Sequence, residues 1–591
     1  MRQHPPTFAV ARPARHTRSI RPICAPLEER VLLSVALRAS KPTVSPVGAP
    51  ITWTAKARGH GASPVYQFVV DSPDGRSSMV RDFSSDRSFT WSPMGEGNYV
   101  VRVIAKDGYS ATDGESASVA HRARPRARSV QAVVNRLSNP LVALYSAPAS
   151  SSDGSLRVEF KPAGTARPWT STSAQEVMAG RSTNVIVAGL LPNTNYLMRH
   201  VSAGGLVSPA RQFRTGTLPG YLSFPTFAVQ KPEAARSGLD RQLVLHIGVN
   251  PPPGTVNTVA TNLSGNIVWY YDPVTNGFPG YAPTLVNGGT VLMLGGKQDG
   301  VGGADTLREI DLAGNGLRET NIRAVNSQLA AMGLPSIDDF NHEARRLPDG
   351  RTAVLSTSAR TIVVNGKPTL YKGDMILVLD QDFRVAWAWD PFRWLDTNRL
   401  PTGGEKTTDW THGNSIAWSP TDGNLIVSMR SQDWVLKINY DRGAGDGHVV
   451  WRLGEGGDFA IQSSVRSPWF THQHDARYID DTTLALFDNG NTRQATLPGS
   501  NSRGQVLALD ERNMLATLTL NADMGNYAPA VGSSQRLPDG SLAFNSGFAQ
   551  QTIVVRPDGS KLYVQKMNMP GLQYRSYIYS TLYDNPTDFL G

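Results

Sequence analysis

A short hairpin is written five times into the chain after residue 220. Its plainest copy runs Asp409-Trp410-Thr411-His412-Gly413-Asn414-Ser415-Ile416, turns at Ser-Pro-Thr-Asp-Gly, and returns as Leu425-Ile426-Val427-Ser428-Met429-Arg430. An Asp-Gly turn between two apolar runs specifies a pair of antiparallel strands. Further copies lie at 286–294, 346–355, 477–487 and 536–544. Most are followed by a strand, a polar turn (Asp380, Asp510) and a further strand, so each unit holds about four strands. A four-stranded unit repeated at about 40–70 residues is the pattern of a propeller blade. Residues 241–272 carry the outer part of such a unit without its leading hairpin, and 576–583 offer a strand to complete it. Five full units and one shared unit predict six blades over 220–591. The shared blade shuts the ring and removes its edge strands.

The region before residue 220 alternates differently. Residues 37–120 contain short strand-like runs (Ile51 to Ala55, Tyr66 to Val70, Tyr99 to Ile104) at the spacing of a β-sandwich. The ending Gly-Asn-Tyr-Val-Val-Arg-Val resembles Ig-like or PKD-like modules of surface proteins. Residues 131–217 read as a second sandwich. There Leu190-Leu191-Pro192-Asn193-Thr194-Asn195-Tyr196 resembles the corner of fibronectin type III domains, in which the tyrosine hydroxyl ties its strand to the preceding turn. Residues 121–130 are expected to be a basic linker and 1–36 a flexible Arg/Pro-rich leader. No long stretch carries the apolar period of a helix, so the whole chain is expected to be all-β.

Charge narrows the function classes. The net charge of +9 has a local origin: residues 1–30 carry six arginines against two glutamates, and 121–128 add four arginines. Nucleic-acid binding needs basic residues interleaved with stacking aromatics on one face, which is not the pattern here. No apolar run reaches the ~18 residues of a membrane span. Cys24 is the single cysteine, so no intrachain disulfide forms. Pro26-Leu27-Glu28-Glu29-Arg30-Val31-Leu32-Leu33-Ser34 resembles the LEPR-XLL motif of large exported proteins of planctomycete-type bacteria, with Glu29 where that motif has proline. It implies a periplasmic, cell-surface or secreted location.

Equivalent positions in successive repeats surround one axis. A histidine precedes the turn in three consecutive units: His342 in Asn-His-Glu-Ala-Arg-Arg, His412 in Thr-His-Gly-Asn-Ser and His474 in Gln-His-Asp-Ala-Arg. In the fifth unit Gly532 takes that place. Arg430 stands at the open end of the middle hairpin, and small residues at the matching points of other repeats leave room for a ligand. Three imidazoles and a guanidinium are thus expected at one mouth of the central channel. Such a set can attack, move protons and hold an oxyanion. His472 lies two residues before His474 and faces the same side of an extended strand. Asp488 and Asn489 close that hairpin and are placed to orient the neighbouring histidine. Metal binding by His472, His474 and two further imidazoles is a rival reading, opposed by the fixed charge of Arg430. No metal and no cofactor are expected.

At these residues the chain resembles the bacterial arylsulfate sulfotransferase family, which does not need the nucleotide sulfate donor. The shared stretches run in family order: Asn-His-Glu-Ala-Arg-Arg-Leu-Pro-Asp-Gly, Thr-His-Gly-Asn-Ser-Ile, Ser-Met-Arg-Ser-Gln-Asp-Trp-Val, Trp-Arg-Leu-Gly-Glu-Gly-Gly-Asp-Phe, and Gln-His-Asp-Ala-Arg-Tyr with Phe-Asp-Asn-Gly. The resemblance implies a six-bladed propeller that moves a sulfuryl group from a phenolic sulfate to a phenolic acceptor. It implies His474 as nucleophile, His342 and His412 as sulfate-binding and proton-handling groups, Arg430 as sulfate-binding arginine, and Asn414 as a site asparagine. His472 is outside the shared core. The aromatics Trp410, Phe340, Trp434 and Tyr478 are candidates to sandwich the phenol ring. The lack of a cysteine pair and the tandem sandwiches depart from the family's usual arrangement. A second reading, of another class, is a non-catalytic cell-surface scaffold whose sandwiches bind surface partners.

Overall fold

The computed structural model describes Met1 and residues 34–59, 63–108, 114–231, 242–249, 251–296 and 304–584. Most of the leader, including Cys24 and the LEPR-like tract up to Leu33, lies outside the described residues. The described fold is all-β, with a few short helices between strands.

Residues 281–579 form five complete sheets and close a sixth. The first comprises Tyr281–Val286, Thr290–Gly295, Thr306–Asp311 and Gly316–Asn321, in that order. The second (Asp339–Arg346 to Val385–Trp389) and third (Gly413–Trp418 to Val449–Leu453) repeat the meander. The fourth begins at His474–Tyr478 and gains an outer parallel strand, Ala460–Gln462. The fifth begins at Ser533–Arg536 and is edged by Thr226–Lys231. In the sixth, Leu572–Tyr579 leads and pairs antiparallel with Leu243–Val249, Leu245 opposite Tyr577. Each leading strand neighbours the next, and Leu243–Val249 of the sixth sheet returns to Tyr281–Val286 of the first. The order of sheets is therefore closed.

The turn chemistry explains the repetition. In Leu347-Pro348-Asp349-Gly350, the Gly350 N–H donates to the Leu347 carbonyl (2.9 Å), while Asp349 Oδ1 accepts from the Arg351 N–H (2.9 Å). Leu537-Pro538-Asp539-Gly540 makes the same bonds, Gly540 to Leu537 at 2.9 Å and Ser541 to Asp539 at 3.0 Å. Both glycines sit at φ +84°, a conformation that side chains resist. Between sheets, alternation is lost. Leu425–Met429 and Trp434–Ile438 are buried at every position, because a sheet covered on both faces needs apolar residues on both. Separate apolar clusters wedge the second sheet to the third, the third to the fourth and the fourth to the fifth.

Two sandwich-like units precede the ring. In the first, Ser34–Ala39, Ile51–Arg58 and Ser88–Trp91 face a five-stranded sheet over Trp53, Phe68 and Val103. In the second, Val133–Arg136, Ala143–Ala147 and Thr183–Val187 face the sheet that contains Gly154–Pro162 and Asn195–Ser202. The Tyr196 hydroxyl accepts from the Leu191 N–H at 2.8 Å, fastening the strand to its preceding turn. The tract expected as a basic linker starts later than residue 121. The strand Glu115–Arg124 continues through it, with Arg122 opposite Val44 and Ala123 opposite Gly97. His121 is the reason on that side: it is buried and bonded to Ser45 Oγ at 2.9 Å, so the chain stays in the sheet.

Both units rest on the ring. The Asp82 N–H donates to Glu319 (3.1 Å) and the Asn321 amide to the Phe83 carbonyl (3.1 Å). From the second unit, the Ala188 N–H donates to the Tyr583 hydroxyl (2.7 Å), which donates to the Ile186 carbonyl (2.9 Å). The second unit also shares one continuous apolar core with the first, second and sixth sheets.

Candidate active site

His342, His412 and His474 come from three adjacent leading strands and line one cavity of about 650 Å³. His342 lies within a break in strand register (Asn341 to Ala344), His412 just precedes one (Gly413 to Ser415), and His474 is the last paired residue before one (His474 to Arg477). Such bulges re-aim side chains away from the regular pleat. His342 and His412 hold φ of +52° and +46°, a left-handed backbone that costs a non-glycine residue about 1–2 kcal/mol. Ala282 (φ +46°) and Val531 (φ +58°) adopt it in the first and fifth sheets, so the device belongs to the repeat and the histidines are added to it. Val531, rather than the expected Gly532, faces the site.

The tautomer of His474 is set by its partners. Its Nδ1 lies 2.7 Å from Asn489 Oδ1 and 3.2 Å from the His472 carbonyl. The Asn489 amide nitrogen is itself spent on the carbonyls of Ala528 (2.7 Å) and Val531 (3.0 Å), so its oxygen must face His474. Both neighbours of Nδ1 are acceptors, and Nδ1 carries the proton. The lone pair is left on Nε2, where the Val531 N–H donates to it at 3.2 Å. Burial, then the charge of Arg430, pull the His474 pKa well below its ordinary value. The imidazole is therefore neutral at pH 7, as a nucleophile must be.

His412 is held differently. Its Nδ1 meets both oxygens of Asp409, at 2.8 and 2.9 Å. Burial favours the neutral Asp409 carboxyl, but the bond to His412 and the charges of His412, Arg430 and His342 together outweigh it and hold the carboxyl below its ordinary value. The His342 ring stands edge-on to His412 with centroids 4.9 Å apart. Burial first, then the proximity of His412 and Arg575, depress the pKa of His342 strongly. Arg430 is buried beside this pair. Its guanidinium reaches Glu405 (3.0 Å) and Asp409 (3.9 Å), and its N–H donates to the His412 carbonyl (3.0 Å).

The other expected residues stand further back. Asn414 is a strut: its amide donates to the Gln473 carbonyl at 2.8 Å, joining the strand of His412 to that of His474. Asp488 is fully buried between Arg493 (2.6 Å) and Arg503 (2.8 Å). Trp410 does not reach the cavity. Its indole is buried against Tyr371 and Phe392, with Nε1 donating to the Arg399 carbonyl at 2.9 Å. A turn of 3-10 helix at Thr407–Asp409 sends its ring into the wall while Asp409 reaches back to His412. Phe340, Trp434 and Tyr478 are likewise not among the described residues that line the cavity; the rings that do are Tyr281 and Tyr574. The mouth is walled by Val249, Pro251, Pro252, Pro253, Pro273 and Pro279. His472 is buried beside Asp433, outside the cavity. Among the described residues no three His, Cys, Asp or Glu side chains are grouped to hold a metal ion.

Sequence reasoning missed Asp409, Tyr574 and a buried ionic layer. In that layer Glu343 meets Arg345 (2.9 Å) and Arg575 (3.1 Å), and Asp475 meets Arg477. A signal was present: His-Glu-Ala-Arg and His-Asp-Ala-Arg place an acid one residue after, and an arginine three after, each histidine.

Comparison with known proteins places the chain. The family described as Arylsulfotransferase (ASST) matches residues 230–569, more than half of the chain and all three cavity histidines. No curated protein matches. A solved structure of a protein of unknown function from Bacteroides caccae is 15% identical and covers 57% of this chain and 97% of its own, with a TM-score of 0.36. A putative 6-phosphogluconolactonase from Bacteroides uniformis is 9% identical and covers 88% and 100%, with a TM-score of 0.24. Neither likeness is close enough to carry an argument. Among the described residues no helix is long and apolar enough to cross a membrane. The family match makes this a transferase acting on a small-molecule donor and acceptor, with aryl sulfotransferase activity in the general sense. The chain belongs to the arylsulfotransferase family.

Proposed function

We propose that residues 220–591 are a six-bladed propeller that moves a sulfuryl group from a phenolic sulfate to a phenol, in two steps through His474. The observation that carries this is the fixed tautomer: a neutral imidazole in the cavity wall whose lone pair is on Nε2 and releases the Val531 N–H (3.2 Å) when it attacks. In the first step Nε2 attacks sulfur, the N–S bond forms and the S–O(aryl) bond breaks. The departing phenolate, whose conjugate acid has a pKa of about 10, takes a proton from His412. Asp409 stabilises the imidazolium that gives this proton. In the second step an acceptor phenol returns its proton to His412, attacks sulfur, and breaks the N–S bond. His342 and the charge of Arg430 balance the sulfate oxygens, worth a few kcal/mol in a dry site. One pocket serving two half-reactions gives ping-pong kinetics. The chemistry uses no metal and no soluble cofactor.

The leader motif supports export to the periplasm or cell surface. The sandwiches, read as Ig/PKD-like and fibronectin III-like, are the parts available to surface partners. The test is turnover of 4-nitrophenyl sulfate with a phenol acceptor, followed by nitrophenolate release. His474→Ala is expected to lose about 1,000-fold or more of the rate. Quenched wild-type enzyme is expected to carry a sulfuryl adduct on the His474 peptide. Wild-type turnover no faster than His474→Ala, or loss of activity with a chelator, counts against this reading.

A further inference from the structure

The three histidines are presented by separate sheets, yet one side chain touches the chain beside each of them. Arg575 lies on Leu572–Tyr579, the leading strand of the sixth sheet, and is 3% exposed. Its Nη1 lies 3.1 Å from Glu343, the residue after His342. The same nitrogen lies 3.8 Å from Asp475, the residue after His474. Its Nη2 donates to the carbonyl of Asn414, two residues after His412. Nη1 also donates to the Tyr577 hydroxyl at 3.2 Å, and Tyr577 in turn donates to Asp475 at 3.1 Å. A guanidinium is a planar fork and can make these contacts at once; an ammonium is a point charge and cannot.

The charge balance of this layer isolates the role. Glu343 has its own partner in Arg345, and Asp475 has its own in Arg477. Each acid thus has a cation besides Arg575, and the layer's three arginines outnumber its two acids by one. Members of those pairs each reach a neighbouring sheet, Glu343 accepting from the Ile416 N–H (2.8 Å) and Asp475 from the Ser534 N–H (2.8 Å), whereas Arg575 meets all three histidine-bearing segments at once.

We propose that Arg575 is a positioning residue for the three histidines: it locks their strands in mutual register and sets a positive charge under the site. Around His342 stand His412, His474, Asp409, Arg430, Tyr574 and Tyr281, and of the two arginines acting on it Arg575 is the stronger. Loss of its charge lets His342 hold a proton to higher pH.

The test uses the full chain as wild type, Arg575→Met and Arg575→Lys. Turnover of 4-nitrophenyl sulfate is measured against pH. Independently of activity, acylation of the three cavity histidines by diethylpyrocarbonate is followed peptide by peptide against pH. Arg575→Met leaves both local ion pairs in place and is expected to fold, as read by its melting curve. Its kcat is expected to fall about 100-fold with KM changed less than about threefold, the cost of slight misplacement. The pH of half-acylation at His342 is expected to rise by about half a unit or more. Arg575→Lys is expected to restore that midpoint but to stay at least about tenfold low in kcat. Arg575→Met with kcat within about threefold of wild type, or with an unmoved His342 midpoint, overturns the proposal. If the methionine variant does not fold, Arg575→Lys with wild-type kcat overturns it. The activity arm rests on the sulfuryl-transfer reading. A wild type without turnover sinks that reading alone, because the acylation midpoints still decide the role of Arg575.

Discussion

Asn489 shows how much of the chemistry one amide can carry. It accepts from His474 Nδ1 only because its nitrogen is committed to two carbonyls, and this holds the lone pair on Nε2. Asn489→Leu frees the imidazole, removes the Asn489 amide from the Val531 carbonyl and leaves the Ala528 carbonyl to the Ser502 hydroxyl (3.3 Å). The expected result is a kcat about 100-fold lower with little change in KM, and a loss of about 1–3 kcal/mol of stability. Steady-state kinetics and a urea midpoint measure the two together. The pH profile follows from the same residues. His342 and His474 are both depressed below the ordinary histidine value, so both are neutral at pH 7. The rate with 4-nitrophenyl sulfate is expected not to fall on acidification from pH 7 to about 6.5 and to fall only below that, the limb set by His342 and His474. An acid midpoint at or above that value contradicts the proton assignment. At this scale the histidines were legible because a repeat brings equal positions together. Trp410 was misread because closeness in sequence to His412 says nothing about which way a turn sends a ring.

The strands add what single residues cannot. Asp374, on Lys367–Leu379 of the second sheet, accepts from the Asn341 amide (2.8 Å), the Thr411 hydroxyl (2.6 Å) and the Gly413 N–H (2.7 Å). Asn341 precedes His342, while Thr411 and Gly413 flank His412. One buried carboxylate thus fixes the backbone of two left-handed histidines and helps to hold their strain. Asp374→Ala leaves three buried donors without this acceptor. It is expected to cost about 3 kcal/mol or more and to lower the melting temperature by several degrees. Thermal melts by circular dichroism read this, and an unshifted midpoint would show that the strain is held elsewhere. The meanders and the shared sheet were readable from turn chemistry and apolar runs. The ties between sheets were not, because Asp374 and Arg575 each lie tens of residues from the motifs they hold and carry no periodic signature.

For the whole molecule, packing divides the chain unevenly. The second sandwich-like unit shares its apolar core with the ring, whereas the first has a largely separate core, joined by Leu144 of the second, and lies against the ring along Ser77–Ser84 and Gly316–Asn321. Limited proteolysis between Pro125 and Gln131 is expected to nick the chain while the first unit stays bound through Glu319 and Ser182, and calorimetry is expected to show the second unit melting with the ring. Stability should also depend on pH with a definite sign. His246 is locked between Thr261 and Gln573, and burial pulls its pKa down to about 3. His342 and His474 are depressed too. The unfolded chain binds protons at these sites below pH 6.5 and the folded chain does not. Stability is therefore present above that pH and is lost on acidification, by up to about 1.4 kcal/mol per unit for each such histidine. Urea midpoints falling from pH 7 to pH 5 confirm the sign, and His246→Leu should flatten the slope.

The sixth sheet joins a strand near residue 245 to one near 577, and the second of these carries Arg575. A ribosome that has already delivered all three histidines has still not made an enzyme. A message cut short before codon 572 is expected to yield a protein with every proposed reacting group and no turnover of 4-nitrophenyl sulfate. The missing strand then becomes a key: supplied as a separate peptide it is expected to restore turnover, the yellow of nitrophenolate reporting that two molecules have met.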